Sequence, residues 1–213
     1  MTVAERLKAI RERIERAGRS QDEVTIVAVT KGFPVSACTE ALAAGLVALG
    51  ENRVQEALEK MTLVTGADWH LIGHLQTNKV KAAAGRFALI HTVDSIHLAE
   101  AIARVAPAQP VLVEVNVARE PQKSGVDPAE ALPLIQAASR LLDVRGLMAM
   151  GPTLGDPAAA FQELARLRDE AQQLTGKPLP TLSMGMSGDF EAALAAGSTM
   201  IRLGQALFGP RPT

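Results

Sequence analysis

Eight short apolar runs alternate with longer amphipathic segments along this chain of 213 residues. Each run is apolar at consecutive positions rather than at every second one, which is typical of parallel strands that are covered on both faces. Glycine, proline or polar residues bound most of the runs, as expected where a strand enters a loop. The runs predict strands at 24–29, 46–50, 68–72, 88–92, 111–116, 143–150, 181–184 and 199–203.

The segments between these runs carry the signals of helices. A helix at 2–17 precedes the first strand, because apolar residues recur there every three or four positions and Thr2-x-x-Glu5 is a capping-box pattern. Asp94 and Asp127 are predicted to cap later helices. Further helices are predicted at 36–44, 53–62, 77–84, 95–105, 128–141, 157–174 and 188–196, with a short one after Gly204.

Eight strands that alternate with helices predict a parallel α/β architecture, and eight is the number that closes a (β/α)8 TIM barrel. An open doubly wound sheet is the alternative. Such a sheet favours a glycine-rich dinucleotide turn after its first strand, and the segment 31–34 (Lys-Gly-Phe-Pro) is not that turn. Because no linker or low-complexity stretch interrupts the pattern, we expect one domain over 1–213, a barrel with an extra N-terminal helix.

Composition narrows the function classes. The 22 basic and 23 acidic residues nearly cancel, which argues against nucleic acid or an anionic membrane surface as the partner. The single cysteine, Cys38, excludes an internal disulfide and fits a reducing compartment. The N-terminus does not read as a signal peptide, and no apolar stretch reaches membrane-spanning length. The small size and the lack of an evident exposed apolar helix favour a monomer.

The strongest candidate for chemistry is Lys31, at the end of the first apolar run. Sites in barrels form at the carboxyl ends of the strands, so Lys31 is expected at such a site. Partial desolvation there favours the neutral amine, which attacks an aldehyde and holds it as a Schiff base. A lysine that merely extends to solvent is the alternative for this residue taken alone.

The last two loops resemble a phosphate-binding site, since barrels frequently bind phosphate after strands 7 and 8. Ser187 and Gly188 are expected to open a helix and present a hydroxyl and unpaired backbone N–H groups. Gly204 permits close approach of the backbone, and Arg202 supplies a charge-assisted, two-pronged contact to an anion. The alternative is that Ser187 only caps a helix and that Arg202 pairs with a nearby acid.

Other polar or soft side chains are weaker candidates. His70 and His74 are four positions apart, but a strand and its loop separate them, so we do not expect a metal site. Glu120 and Lys123 are expected to form an ion pair at the barrel end or part of a lid. Four methionines lie at strand ends and either pack inside the barrel or line an adaptable pocket: Met148, Met150, Met184 and Met186.

Several longer segments, in order along nearly the whole chain, resemble the successive signatures of one family. They are Ala28-Val29-Thr30-Lys31, Gly50-Glu51-Asn52-Arg53-Val54-Gln55-Glu56, the segments 69–79, 92–95, 146–148, 182–187 and 196–204, and the pairs Val115-Asn116, Lys123-x-Gly125 and Phe208-Gly209. On these residues the chain is similar to the pyridoxal phosphate homeostasis proteins, the YggS/PROSC family. Arg53 departs from the pattern, because many relatives carry an aromatic residue there.

The resemblance implies a barrel like the N-terminal domain of alanine racemase. It implies that pyridoxal 5′-phosphate (PLP) is held as an internal aldimine on Lys31, with Ser187, Arg202 and Gly204 at the phosphate and Asn52 near the cofactor. Gly188 joins this set through the loop argument above. Family membership further implies a cytoplasmic protein without established turnover.

Three functions follow as hypotheses: a PLP carrier in cofactor homeostasis, a small PLP-dependent racemase, and a cofactor-free Schiff-base aldolase. The second base of alanine racemases is a tyrosine, and this chain has no tyrosine. His74 could replace it, but the sequence shows no partner to orient it. An aldolase needs an acid–base partner beside the lysine, and the first strand supplies none. We therefore predict a non-catalytic binding protein whose partners are PLP and apo forms of PLP-dependent enzymes.

Overall fold

A computed structural model describes residues 1–211, so the last two residues of the expected domain lie outside the described part. Eight parallel strands close into a barrel in chain order, and the predicted α/β TIM barrel is confirmed. The strands are β1 (Thr25–Val29), β2 (Ala48–Glu51), β3 (Asp68–Leu71), β4 (Leu89–Val93), β5 (Pro110–Glu114), β6 (Asp143–Met148), β7 (Thr181–Ser183) and β8 (Met200–Leu203).

Helices connect successive strands and surround the barrel. They are α1 (Val3–Arg16), α2 (Val35–Ala43), α3 (Val54–Met61), α4 (Val80–Ala83), α5 (Ile96–Val105), α6 (Pro128–Ala138), α7 (Ala158–Thr175), α8 (Phe190–Ala195) and α9 (Gln205–Phe208), with 3₁₀ turns at Gln21–Glu23 and Thr77–Lys79. Of the helices within residues 1–211, none is long and apolar enough to cross a membrane. Most predicted bounds are right to within two residues.

The extra N-terminal helix is present and begins as predicted. The backbone N–H of Thr2 donates to Glu5 Oε2 at 2.8 Å, and the Glu5 N–H donates to Thr2 Oγ1 at 3.2 Å, which completes the capping box. Helix α1 packs against α2, α8 and α9. At α5 the predicted cap is wrong: Ser95 accepts the N–H of Leu98, and Asp94 turns to another partner described below.

Two apolar clusters explain how the strands are oriented. One side of each strand packs against the helices and forms the larger cluster. Alternate residues from six strands point inward and form a smaller cluster inside the barrel: Val27, Ala48, Leu89, Leu112, Met148 and Met200. Strand periodicity then directs Lys31, Gly50, Ser183 and Arg202 toward the interior or the mouth of the barrel, while Glu51 faces the helices.

The four methionines occupy three different environments. Met148 fills the barrel interior, as predicted, whereas Met184 packs in the layer between barrel and helices. Met150 and Met186 lie at the mouth of the barrel, in the cavity described next. The predicted β6 was too long, because β6 ends at Met148 and residues 149–150 already belong to the loop.

Candidate functional site

A cavity of about 360 Å³ opens at the carboxyl ends of β7, β8, β1 and β2. Its size lies within the range typical of small-molecule sites. The twelve lining residues are Val29, Lys31, Asn52, Ile72, Met150, Met186, Ser187, Gly188, Arg202, Gly204, Gln205 and Arg211. All six site residues expected from the sequence are in this set. A larger depression beside α1 is lined by exposed charged side chains and lies away from the strand ends.

Lys31 lies two residues beyond the end of β1, in the turn rather than in the strand itself. Its side chain is half-buried. Burial lowers the pKa of the Lys31 amine, and the positive charges of Arg211 and Arg202 lower it further, while Glu51 acts in the opposite direction. A larger fraction of neutral amine is therefore present than on an ordinary surface lysine.

Arg202 points into the barrel and forms part of the cavity floor. Its Nη1 donates to the carbonyl oxygen of Ser183 at 2.7 Å and to Ser183 Oγ at 2.8 Å, and its Nη2 donates to the carbonyl oxygen of Ala149 at 2.9 Å. Burial lowers the pKa of Arg202 to about 10, so it stays charged at neutral pH. Both terminal nitrogens of Arg202 bind groups of the barrel, which fixes the position of its positive charge at the cavity floor.

A line of buried polar side chains continues from Arg202 across the barrel interior. His91 Nδ1 lies 3.1 Å from Ser183 Oγ, and His91 Nε2 lies 2.9 Å from His70 Nδ1. Burial lowers the pKa of His70 to about 4 and lowers that of His91 well below its usual value. Both rings are therefore neutral at pH 7, and the line supports Arg202 without adding charge beneath the cavity.

The loop after β7 contains backbone N–H groups that have no acceptor within residues 1–211. The carboxylate of Asp189 accepts the N–H of Met186 at 2.6 Å, and Ser187 and Gly188 lie in the turn that leads into α8, which begins at Phe190, two residues after the expected start. Within residues 1–211 the N–H groups of Ser187 and Gly188 have no backbone or side-chain acceptor. The Ser187 oxygen accepts the N–H of Ala206 at 3.2 Å, which leaves its own hydrogen available.

Gly188 has a property that the protein itself does not explain. Its φ is not positive, and a Cβ built at this position would meet no atom within 4 Å. The fold therefore tolerates a larger residue there, and the added atom would project into space beside the cavity. A group seated against the backbone at Gly188 would account for the glycine.

Asn52 reaches the cavity because the backbone is tightly packed behind it. A Cβ at Gly73 would lie 2.2 Å from the carbonyl oxygen of Asn52, so only glycine permits this approach. The Asn52 side chain is exposed and lines the cavity.

Sequence reasoning missed two features around Lys31. Arg211 follows the last helix, where no periodic pattern marks it, yet it lines the cavity and lies against Gly32, whose Cβ would be 3.4 Å from its Cδ. The second feature is a buried ion-pair cluster of Lys60 with Glu51 and Glu56. The only signal for it was the four-residue spacing of Glu56 and Lys60, which usually marks a solvated helix face.

The opposite side of the barrel mouth is arranged differently. His74 Nδ1 lies 3.2 Å from Asp94 Oδ2, so the expectation that His74 lacks an orienting partner is wrong. The predicted pair of Glu120 and Lys123 is confirmed, with 3.1 Å between Lys123 Nζ and Glu120 Oε2. None of these four residues lines the cavity.

The charged groups and hydrogen-bond donors of the cavity determine which kind of ligand it can bind. Lys31, Arg202 and Arg211 contribute three basic groups, and no acidic residue is among the lining side chains in the described part of the chain. Apolar Val29, Ile72 and the two methionines provide surface for a ring. The residues therefore fit a small, flat, phosphorylated molecule that carries a group reactive toward an amine.

Comparisons with known proteins agree with this chemistry. The sequence profile of the alanine racemase N-terminal domain family matches residues 6–212. A pyridoxal phosphate homeostasis protein of Aquifex aeolicus is 42% identical, over 99% of this chain and 99% of its own length. The protein of that name from Escherichia coli K12 is 40% identical, over 98% and 97%.

Among solved structures, PipY of Synechococcus elongatus PCC7942 with PLP bound superposes with a TM-score of 0.85 and 38% identity, covering 98% of this chain and 100% of PipY. Because similarity at this level extends over nearly the full length, the chain belongs to the pyridoxal phosphate homeostasis protein family, within the wider group of alanine racemase N-terminal domains.

Proposed function

We propose that this protein binds PLP in the cavity at the mouth of the barrel, holds it through a Schiff base on Lys31, and serves the intracellular supply of the cofactor without turnover of its own. The observation that carries the proposal is the cavity's composition. It joins three basic side chains, no acidic one, unpaired N–H donors and a lysine whose pKa is lowered by burial. The PLP reported for PipY, a relative of similar length, supports the same ligand here.

Each site residue has a distinct task in this proposal. Ser187 and Gly188 hold the phosphate through a hydroxyl and two N–H groups, and Gly204 lets the backbone approach it. Arg202 places a fixed positive charge at the cavity floor. Asn52 lies beside the ring.

Lys31 supplies the neutral amine. When bound, PLP supplies an aldehyde, which is the group that condenses with such an amine. Arg211 and Arg202 favour the neutral form of Lys31 because each would repel a charged ammonium. The same two cations attract the phosphate, so the features that bind the ligand also prepare the amine.

A small PLP-dependent racemase is the second candidate, because His74 is oriented by Asp94 as a general base would be. Racemisation needs a base on each face of the reacting carbon. His74 is half exposed and does not line the cavity, and the sequence has no tyrosine to serve as the other base. Binding without placed catalytic groups gives no turnover, so we favour the carrier.

We further propose that the protein acts in the cytoplasm as a monomer and that apo forms of PLP-dependent enzymes receive its cofactor. The test is whether the loaded protein transfers its PLP to such an enzyme. Protein loaded with PLP is mixed with an apo-aminotransferase, and the return of that enzyme's activity is followed against free PLP at equal concentration. Reactivation by the loaded protein supports the proposal. Sustained racemisation of any amino acid by the loaded protein itself would contradict it.

A further inference from the structure

A buried cluster of charged residues lies directly behind Lys31, on the helix side of the barrel wall. Lys60 Nζ donates to Glu51 Oε1 at 2.7 Å and to Glu56 Oε1 at 2.8 Å. The hydroxyl of Thr30 donates to Glu51 Oε1 at 2.6 Å. We call these four residues the Lys60 cluster.

Burial and hydrogen bonding act against each other in this cluster: burial raises the pKa of Glu51, whereas hydrogen bonds outweigh burial at Glu56 and lower its pKa. Lys60 is 6% exposed and Glu51 is not exposed at all. Burial alone would lower the pKa of Lys60, but its hydrogen bonds to Glu51 and Glu56 outweigh burial and raise it. A buried lysine with two carboxylates costs much desolvation energy, and a packed apolar group would often serve stability as well. The arrangement therefore calls for a role besides stability.

The remaining bonds of the cluster reach the main chain on both sides of Lys31. Lys60 Nζ donates to the carbonyl oxygen of Thr30 at 2.9 Å, which fixes the peptide group before Lys31. The N–H of Gly32 donates to Glu56 Oε1 at 2.9 Å, which fixes the peptide group after Lys31. Both backbone dihedrals of Lys31 lie between these two anchored peptide groups.

The sheet does not provide this restraint. Strand β1 ends at Val29, and the last hydrogen bond along this edge runs from the N–H of Thr30 to the carbonyl oxygen of Gly50 at 3.0 Å. A local turn adds one bond, from the N–H of Phe33 to the Thr30 carbonyl at 3.0 Å. Without the Lys60 cluster, the peptide group between Lys31 and Gly32 would have no anchor among the described residues.

We propose that Lys60, together with Glu51 and Glu56, is a positioning group for Lys31. Beyond the last hydrogen bond of the sheet, the cluster's hydrogen bonds to the main chain hold the Lys31 backbone so that its amine faces the cavity. Lys60 touches no ligand in this proposal and acts only through the main chain. The proposal rests on the proposed function only for the identity of the aldehyde that Lys31 captures.

The test distinguishes an effect on the position of the Lys31 amine from an effect on the affinity of the cavity for its ligand. Lys60→Met and Glu56→Ala are mixed with PLP, and the rate of Schiff-base formation is followed by absorbance. Binding of 4-deoxypyridoxine 5′-phosphate, which has no aldehyde, is measured in parallel. We expect the rate to fall by about ten- to a hundredfold in Lys60→Met, because small displacements of reacting groups have effects of this order, and less in Glu56→Ala. Affinity for the aldehyde-free analogue should stay within about twofold.

Matched controls are available in the same chain. Glu59→Ala removes an exposed acid from the same helix, α3. Lys177→Met removes a lysine that also donates to a main-chain carbonyl, that of Ser139 at 2.6 Å, but lies outside the cavity lining. Both controls should form the Schiff base at the wild-type rate.

Amide hydrogen exchange at Gly32 in the ligand-free protein gives a second readout that needs no cofactor, because the Gly32 N–H is the group that donates to Glu56. It should accelerate at least about tenfold in Glu56→Ala, which keeps the buried pair of Lys60 and Glu51 and is expected to fold. Unchanged exchange there, or a loss of analogue binding that parallels the loss of rate, would overturn the positioning role. If wild-type protein forms no adduct with PLP, the proposed function fails, and hydrogen exchange still decides the positioning role.

Discussion

The two halves of the barrel mouth use polar residues in opposite ways. In the half formed by the turns after β7, β8, β1 and β2, which we call the open half, the N–H groups of Ser187 and Gly188 and the amine of Lys31 line a cavity and have no hydrogen-bond partner within residues 1–211. In the half formed by the turns after β3 to β6, the closed half, charged side chains mostly satisfy one another. The difference indicates which half is built for a ligand, because unpaired donors near a cavity are stabilised only when something else occupies it.

The closed half shows how completely such groups can be paired. Lys123 Nζ donates to the carbonyl oxygen of Gly151 at 2.6 Å, and the Glu120 carboxylate accepts from the N–H and the hydroxyl of Thr153 at 2.7 and 2.6 Å. The two bonds from Thr153 are the main cause that lowers the pKa of Glu120 to about 2. Two acceptors are exceptions, since Glu114 Oε2 and Asn116 Oδ1 are buried without a partner in residues 1–211.

The largest loss of stability and of PLP affinity is expected from a substitution of Arg202, at the cavity floor in the open half. Arg202→Met removes three buried hydrogen bonds, although the Ser183 carbonyl oxygen keeps the N–H of Ala149 as a donor, so the free energy of unfolding should fall by about 2–4 kcal/mol. Affinity for PLP should fall by about ten- to a hundredfold with the lost charge. Denaturant unfolding and ligand titration measure the two. A larger loss for PLP than for pyridoxal identifies the phosphate as the group that Arg202 stabilises, whereas unchanged affinity would contradict its place in the site.

The buried histidines beneath Arg202 make the barrel sensitive to acid. An unfolded histidine takes up a proton near pH 6.5, whereas His70 resists until about pH 4. Below pH 6.5 the unfolded state therefore binds more protons, and the free energy of unfolding should fall by about 3 kcal/mol between pH 6.5 and 4. His70→Asn should flatten this part of the profile in denaturant titrations, whereas replacing the exposed His97 in the same way should not. If the free energy of unfolding depends on pH in the same way in wild type and His70→Asn, this interpretation is wrong.

A matched change in the closed half should affect stability alone. Lys123→Met removes one bond to a carbonyl oxygen and one ion pair, so the free energy of unfolding should fall by about 1–2 kcal/mol. PLP affinity should stay within about twofold of wild type. If affinity falls as much as in Arg202→Met, the two halves do not differ in the way described.

The smallest change in stability is expected at Gly188. Gly188→Ala adds a methyl group that meets no protein atom, so the free energy of unfolding should change by less than about 0.5 kcal/mol. PLP affinity should fall by about tenfold, equivalent to about 1.4 kcal/mol, because the methyl group occupies space that the phosphate needs. Normal affinity in calorimetric titration would remove Gly188 from the proposed site.

The barrel and much of the open half could be predicted because both follow from strand periodicity. Consecutive apolar residues mark a covered strand, and the residue after each strand end falls at one mouth of the barrel. This places Lys31, Ser187 and Arg202 near one another without any knowledge of side-chain directions. It does not reveal that the guanidinium of Arg202 binds Ser183 and Ala149, since that depends on the barrel's internal packing.

The sequence did not reveal features of two kinds. In one, two neighbouring residues could fill the same role; in the other, the contact joins residues that are distant in the chain. Asp94 and Ser95 are both good helix caps, and the choice of Ser95 follows from the contact of Asp94 with His74. Lys60 looks like a surface lysine on α3 until β2 places Glu51 beside it. Arg211 has no pattern of its own and gains its position only when α9 returns the chain to the mouth of the barrel.

The most direct test of the account is to locate the covalent bond. Protein loaded with PLP is reduced with borohydride and digested, and the modified lysine is identified by mass spectrometry, with Lys31→Ala as the comparison and Lys81→Ala as the exposed-lysine control. We predict one stable adduct, on Lys31, with loss of the visible absorption band in Lys31→Ala only. Modification of another lysine, or an unchanged band in Lys31→Ala, would contradict the central claim.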